Sequence, residues 1–314
     1  MELVKSSVGV VFPLFFMMAV GFVIKRLGLV SREGLAEINR LNVRVFLPAM
    51  LFANICEGDI VHGTDSRFFL FTTVAAVIIF FLCITIVPKI VKDKNRSQSI
   101  ILGIYRPNTA IYGLPLAQSI LSNNEKVSNV LMMISISILV TNFFAVLVIE
   151  IFKGDKPKIF TSIVHSLSNP IVVGLLLGLF MQFMPFSISR IILLPIKNIG
   201  AITTPLAFIC LGADFNIKTG RKNIAAVSLA TLLKLVITPL IVAPIAAILL
   251  GMRDEVLVAI LCSFATPTAV SVLPLIKEVG ADDELMGEII VSTTAFSLVS
   301  IFLFVYLFKY LLYF

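Results

Sequence analysis

The sequence contains little charge, two histidines, four cysteines and no tryptophan. Charged residues make up 14% of its 314 residues and hydrophobic residues make up 59%. Soluble domains are about one quarter charged and about 45–50% apolar. The chain also lacks any polar stretch long enough to form a second, extramembrane domain. These shortages exclude an ordinary soluble domain and predict a polytopic membrane protein.

The scarcity of histidine and cysteine limits the chemistry that the chain can perform. Its cysteines lie in or beside apolar segments, without the C-x-x-C or histidine spacing of a zinc site. The sequence contains neither a Walker motif nor H-E-x-x-H. We therefore expect no metal, no cofactor and no catalytic residue. The net charge of +7 lies mainly in short connections, which indicates membrane topology rather than binding to nucleic acid.

Ten apolar runs have the length of a membrane span, about 17–25 residues. They cover residues 7–25, 38–56, 68–89, 99–121 and 128–152, and then 159–182, 190–213, 223–250, 255–276 and 287–312. The connections after odd-numbered spans carry fifteen Lys and Arg residues, against six in the other connections and the termini. The positive-inside rule therefore predicts a multi-pass protein of the plasma membrane with both termini outside.

The sequence repeats itself at a nearly constant spacing. TAIYGLPL at 109–116 returns as TAVSVLPL at 268–275, with five of eight residues identical. Further matches lie 157 positions apart, between Pro13 and Pro170, Gly21 and Gly178, and Pro48 and Pro205. These matches predict two five-helix repeats, residues 1–155 and 156–314. An odd number of spans inverts the second repeat across the bilayer, which is typical of secondary transporters with a site between the repeats.

Spans 4 and 9 contain residues that interrupt helices. The predicted helix breakers are Pro107, Gly113 and Pro115 in span 4, and Pro267 and Pro274 in span 9. A proline inside a helix removes a backbone donor and clashes with the preceding turn. We therefore expect two broken helices that cross near the midplane and present helix N-termini suited to a carboxylate. The alternative is that these prolines only kink structural helices.

Polar residues beside the breaks, and a lysine in the middle of span 8, are the candidate substrate-binding residues. They are Arg106, Asn108, Thr109, Tyr112, Thr266, Thr268, Ser271 and Lys234. The hydroxyl groups could instead bond to carbonyls of their own helices. Arg106 could contact an anion or be paired structurally, and Lys234 could pair with a carbonyl or with Asp214.

Other polar groups inside the spans have less direct interpretations. Arg44 and Lys197 lie within reach of an interface and are expected to extend their charges towards it. Asn39 in span 2 is expected to hydrogen-bond a neighbouring helix. The spans offer no convincing buried carboxylate, and this positive balance favours an anionic substrate over a cation.

Four motifs resemble the auxin efflux carrier family, in particular its bacterial and archaeal members with short loops. They are PNTAIYGLPLA at 107–117, FLPAMLFANI at 46–55, PLAFICLGADF at 205–215 and PTAVSVLPLIKEVG at 267–280. The resemblance implies ten spans in two inverted repeats, with spans 4 and 9 crossing at Pro107, Pro115 and Pro267. It also implies a scaffold domain and a mobile transport domain, elevator-like movement and organic anion substrates such as auxin, malonate or malate.

Within that resemblance, Asn108 occupies the position whose asparagine helps to bind the substrate carboxylate, and a homodimer is possible. The sequence therefore predicts a secondary transporter of small organic anions by alternating access. One alternative is a sodium- or proton-coupled carrier of the same fold. Alternatives from other classes are a membrane receptor or structural protein, and an intramembrane enzyme, for which no motif is present.

Overall fold

The structure is a computed structural model that describes residues 2–57, 66–121, 124–152, 170–184, 188–214 and 223–311. Every regular element in these ranges is a helix. The first half contains α1 (Glu2–Arg26), α2 (Arg32–Leu41), α3 (Leu47–Glu57), α4 (Ser66–Ile90), α5 (Lys94–Tyr105), α6 (Thr109–Ile120) and α7 (Asn124–Phe152). The second half contains α8 (Pro170–Gln182), α9 (Arg190–Ala201), α10 (Thr203–Asp214), α11 (Ile224–Leu232), α12 (Thr238–Pro244), α13 (Asp254–Phe264), α14 (Val272–Glu278) and α15 (Asp283–Tyr310).

Three π-helical turns join neighbouring α-helices into longer rods. π1 (Asn42–Phe46) connects α2 to α3, π2 (Leu233–Ile237) connects α11 to α12, and π3 (Ile245–Leu249) continues α12. Such turns insert one extra residue per bulge and occur frequently at functional sites.

Short polar side chains define where several helices begin. The side chain of Ser31 accepts a hydrogen bond from the backbone N–H of Gly34 at the start of α2 (2.9 Å). Asp93 does the same for Arg96 at the start of α5, and Asp282 for Leu285 at the start of α15 (both 2.9 Å). These caps satisfy backbone donors that have no partner inside the helix.

Five helical stretches of the described chain are long and apolar enough to cross a membrane. They are Ser66–Ile90, Asn129–Phe152, Arg190–Ala213, Ile224–Leu249 and Asp283–Tyr310. This confirms the prediction of an all-helical membrane protein. The arrangement of ten spans as an inverted repeat stays a prediction. The proposed boundary between the repeats, at residues 155 and 156, lies outside the described residues.

The helices pack as two groups. In the first group, α1 packs along α10, and α3 packs against α8 and α9. The second group contains α4 to α7 and α11 to α15, and most of the buried apolar side chains belong to it. The groups meet where α1 contacts α6 and α15, and where α3 contacts α7.

Backbone contact joins α1 to α10. A Cβ atom placed on Gly212 would overlap the backbone carbonyl of Met18, and one placed on Gly21 would overlap the carbonyl of Ile209. Glycine at both positions allows the two helix backbones to approach more closely than any side chain would permit.

Candidate functional site

Two helices of the second group are interrupted at their prolines. The first ends at Tyr105 and resumes at Thr109, and the second ends at Phe264 and resumes at Val272. The residue before a proline is sterically excluded from helical backbone angles. Arg106, which precedes Pro107, accordingly has an extended conformation (φ −90°, ψ 106°).

The two interruptions pair with each other through their backbones. The N–H of Asn108 donates to the carbonyl of Pro267 (2.8 Å), and the N–H of Ala269 donates to the carbonyl of Arg106 (3.1 Å). Pro107 and Thr268 form the antiparallel bridge at the centre of this crossing. The pairing satisfies backbone groups that the broken helices leave free, which low-dielectric surroundings require.

A small polar cavity of about 40 Å³ lies beside the crossing. Residues of both interruptions line it, together with residues of α7 and of the α2–α3 rod from the first helix group. Its lining residues are Asn39, Val43, Leu47, Arg106, Pro107, Asn108, Ala110, Ile111, Ile138, Thr141, Asn142, Ala269, Val270 and Ser271. The cavity therefore lies at the interface between the two helix groups.

The cavity is small compared with an organic acid. A cavity needs about 10–15 Å³ to hold one water molecule, so the space of about 40 Å³ holds only a few water molecules. A carboxylic acid of several non-hydrogen atoms enters only if the two helix groups move apart.

The polar atoms of the cavity are mainly unused donors. Arg106 is 7% exposed, and its guanidinium has no hydrogen bond or ion pair with any residue in the described ranges. The side-chain amide nitrogens of Asn108 and Asn142 are buried and also lack a partner among those residues. Buried donors without acceptors are costly, and a buried unpaired guanidinium costs more. None of the lining residues in the described ranges is acidic, so the arrangement suits a small anion.

A helix terminus adds to this positive character. α6 begins at Thr109, directly after the cavity-lining Asn108. The N-terminus of a helix carries a partial positive charge and unpaired N–H groups. An anion in the cavity would be stabilised both by the side-chain donors and by this terminus.

The structure places only part of the predicted site residues in the cavity. Arg106, Pro107, Asn108 and Ser271 line it. The hydroxyl of Thr268 instead donates to the carbonyl of Gly103 (2.6 Å) and therefore ties the second interruption to α5.

The other predicted residues are not among the residues that line the cavity. The hydroxyl of Thr266 donates to the carbonyl of Cys262 in its own helix (3.1 Å). Tyr112 is buried with its ring against Phe208 (centroids 4.8 Å apart). Thr109 is buried at the first turn of α6, and Lys234 is buried in π2; neither lines the cavity.

The predicted helix breakers also differ in position. Pro107 and Pro267 lie in the interruptions, whereas Gly113 and Pro115 lie inside α6 and Pro274 inside α14. A Cβ on Gly113 would overlap the side chain of Ile134, so this glycine allows α6 to approach α7. The side chains of Pro115 and Pro274 lie outside the described residues.

Sequence reasoning missed the contribution of α7. Thr141 and Asn142 line the cavity although α7 has no break. An adjacent polar pair in an otherwise apolar span was the available signal. Asn39, expected to bond a neighbouring helix, also lines the cavity.

Two further cations inside the predicted spans, Lys197 and Arg44, are expected to lie near an interface. Lys197 forms an ion pair with Glu57 (2.7 Å) that joins α9 to the end of α3. Arg44 is exposed. Neither residue lines the cavity.

A larger cavity of about 480 Å³ runs between α4 and α12. Its lining residues are almost all aliphatic, and none of them carries a charge. An apolar surface of this kind cannot orient a charged ligand, so the small polar cavity is the candidate site.

Comparison with known proteins gives two findings. A model of the membrane transport protein family matches residues 6–162 and 156–305. The chain is also similar to an uncharacterized transporter from Methanothermobacter thermautotrophicus, with 23% identity over 302 residues, which cover 94% of this chain and 96% of that protein.

Proposed function

Because the chain belongs to the membrane transport protein family, we propose that it is a secondary transporter that binds small organic anions at the crossing of its two interrupted helices. The observation that carries this proposal is the cavity, whose described lining holds three donors without a partner, Arg106, Asn108 and Asn142, and no acidic residue. A carboxylate accepts hydrogen bonds from donors of these kinds, and it needs no bound metal ion to do so.

Alternating access by an elevator-like movement is the proposed mechanism. Both interrupted helices belong to the second helix group, whereas Asn39, Val43 and Leu47 close the cavity from the first group. Movement of the second group past the first would carry the crossing and its anion towards the opposite side of the membrane. The small closed cavity fits an occluded stage of this movement.

We propose that the inverted repeat underlies this arrangement. A Cβ on Gly21 would meet the carbonyl of Ile209, and a Cβ on Gly178 would contact the carbonyl oxygen of Phe52. The two glycines are 157 positions apart, and so are the two contacted residues. Equivalent helices of the two halves thus pack through equivalent positions, which supports the repeat.

The charge of the ligand is tested by Asn108→Asp, which keeps the side-chain size and the helix-capping position. A ligand at 100 times its dissociation constant stabilises a protein by about 2.7 kcal/mol. We expect malonate, malate or acetate to raise the melting temperature of the wild type. We expect Asn108→Asp to abolish the shift, because a carboxylate repels the anion. The measurement is a thermal shift of purified protein with each acid and with sodium chloride as the control.

Two results would count against the proposal. One is the absence of stabilisation of the wild type by any of the acids. The other is stabilisation of Asn108→Asp by sodium ions together with an unchanged response to the acids, which would indicate a cation site.

The role of α7 is tested by Asn142→Leu, which keeps the number and branching of the side-chain heavy atoms and removes the donor. Loss of one hydrogen bond to a charged group costs about 1.5–3 kcal/mol, so the dissociation constant of the stabilising acid should rise about tenfold or more. Ser135→Ala on the same helix is the control, because the Ser135 hydroxyl donates to the carbonyl of Leu131 (2.7 Å) away from the cavity. Equal affinities of the two variants in a calorimetric titration would remove Asn142 from the site.

A further inference from the structure

A second buried cation lies outside the candidate site. Lys234 is 2% exposed and belongs to the π-helical turn π2, in the middle of the rod formed by α11 and α12. Its ammonium group has no hydrogen bond and no ion pair with any residue in the described part of the chain. The side chain of Asp214, the partner considered from the sequence, lies outside that part.

The elements around π2 offer no counter-ion close to Lys234. On α4, the ionisable group beside it is the thiol of Cys83. On α5, the ionisable groups are Lys94 and Arg96 in its first turn and Tyr105 at its end. On α15, the acidic groups are Asp283, Glu284 and Glu288, while Tyr306, Lys309 and Tyr310 occupy its last turns.

The acidic groups of α15 lie well before the level of Lys234. The hydroxyl of Thr231 donates to the hydroxyl of Ser292 (2.9 Å), which fixes the alignment of the two helices one turn before Lys234. Glu288 lies one turn before Ser292, and therefore roughly 10 Å along the axis from the level of Lys234. In the described part of the chain, the ionisable group beside the amine is thus the thiol of Cys83 rather than a carboxylate.

A permanently charged ammonium in such a position is costly. Moving an isolated ion out of water costs several kcal/mol even after relaxation. A lysine amine can avoid this cost by giving up its proton, whereas an arginine cannot. The structure therefore contains two buried basic residues of different kinds. Arg106 stays charged, whereas Lys234 is able to release and bind a proton.

From this geometry we infer that Lys234 is the proton site of the transporter. Its amine is neutral when the crossing is empty, and its nitrogen lone pair binds a proton taken from bulk water when an organic anion occupies the crossing. This inference rests on the proposed function, and it identifies the proton as the ion whose transport is coupled to that of the anion. The anion and the proton enter from the same side, so the transport reaction is symport of one with the other.

The packing provides the link between the two positions. π2 contacts α5, and α5 leads directly into Arg106 at the cavity. A negative charge in the cavity favours a positive charge on a nearby buried group, because Coulomb interactions are strong where the dielectric constant is low. By thermodynamic reciprocity, protonation of Lys234 strengthens binding of the anion by the same factor.

The test counts the protons taken up when malonate binds. Calorimetric titrations of the purified wild type are made in phosphate and in Tris at a mildly alkaline pH, where malonate is fully ionised. The difference in heat between the two buffers gives the number of protons absorbed. We expect about one proton for the wild type and about none for Lys234→Met, with malonate affinity in that variant at least about tenfold weaker.

Two further variants separate the proton site from a structural effect. Lys234→Arg keeps a permanent charge, so it should absorb no proton and bind malonate nearly as tightly as the wild type. If Lys234→Met does not fold, the comparison of Lys234→Arg with the wild type is sufficient for the test. Lys197→Met removes a lysine whose charge is paired with Glu57 far from the cavity, and it should absorb as many protons as the wild type.

The outcomes distinguish this inference from the proposed function. Binding of malonate by the wild type without proton uptake, or unchanged uptake in Lys234→Arg, would overturn the proton site and leave the anion transporter intact. Absence of binding for malonate, malate and acetate would overturn both.

Discussion

Replacing Arg106 with glutamine should weaken binding of the organic anion about tenfold to a hundredfold. Hydrogen bonds to charged groups contribute about 1.5–3 kcal/mol, and each 1.4 kcal/mol corresponds to a factor of about ten. Arg106 is the cavity residue with a full charge. The dissociation constant of the stabilising acid, measured by calorimetry for wild type and variant, checks the prediction.

The same variant should not destabilise the protein. The guanidinium of Arg106 has no hydrogen bond or ion pair with any residue in the described structure, so glutamine removes a buried charge without breaking a side-chain interaction. The melting temperature in the absence of acid should therefore stay equal or rise. Breaking a structural ion pair would instead cost about 3–5 kcal/mol. A variant with normal affinity and a lowered melting temperature would establish the structural alternative.

A matched control is available at the far end of the same helix. The side chain of Arg96 donates to Asn223 (2.9 Å) and forms an ion pair with Asp282 (3.3 Å), joining the starts of α5, α11 and α15. Arg96→Gln should therefore lower the melting temperature and leave the affinity for the acid nearly unchanged. Arg106→Gln should thus weaken anion binding without lowering the melting temperature, and Arg96→Gln should lower the melting temperature without weakening anion binding.

The largest effect on stability is expected from Gly212→Ala. Its new methyl group would overlap the backbone carbonyl of Met18, and a backbone cannot rotate aside as a side chain can. Overpacking typically costs about 1–3 kcal/mol and occasionally more, and direct contact with the backbone places this variant at the upper end. The measurement is unfolding in detergent micelles, followed by the melting temperature and the midpoint of denaturation.

Gly287→Ala provides the comparison for this variant. Gly287 lies in α15, and a Cβ atom at this position would meet nothing within 4 Å. Alanine is favoured over glycine inside a helix by about 1 kcal/mol, so this variant should be slightly more stable than the wild type. Equal melting temperatures for Gly212→Ala and Gly287→Ala would show that α1 and α10 do not pack through these glycines.

The sequence alone was sufficient for the membrane location, the helical class and the positions of the two interruptions. Membrane helices are recognised from apolar length, because backbone groups must be satisfied within the segment. Pro107 and Pro267 interrupt helices through local sterics that act regardless of the surroundings. For the same reason Arg106 and Asn108, next to the first of these prolines, could be named as candidate site residues.

The tertiary structure alone decided which polar groups are available to a ligand. From the sequence, Thr266 and Thr268 are candidate binding residues because they flank Pro267. In the structure, their hydroxyl groups donate instead to the carbonyls of Cys262 and Gly103. Asn142 has no helix-breaking residue beside it and reaches the cavity because α7 packs against α6. The acceptor of Thr266 lies one turn away in its own helix, whereas the acceptor of Thr268 is distant in sequence and is positioned only by the fold.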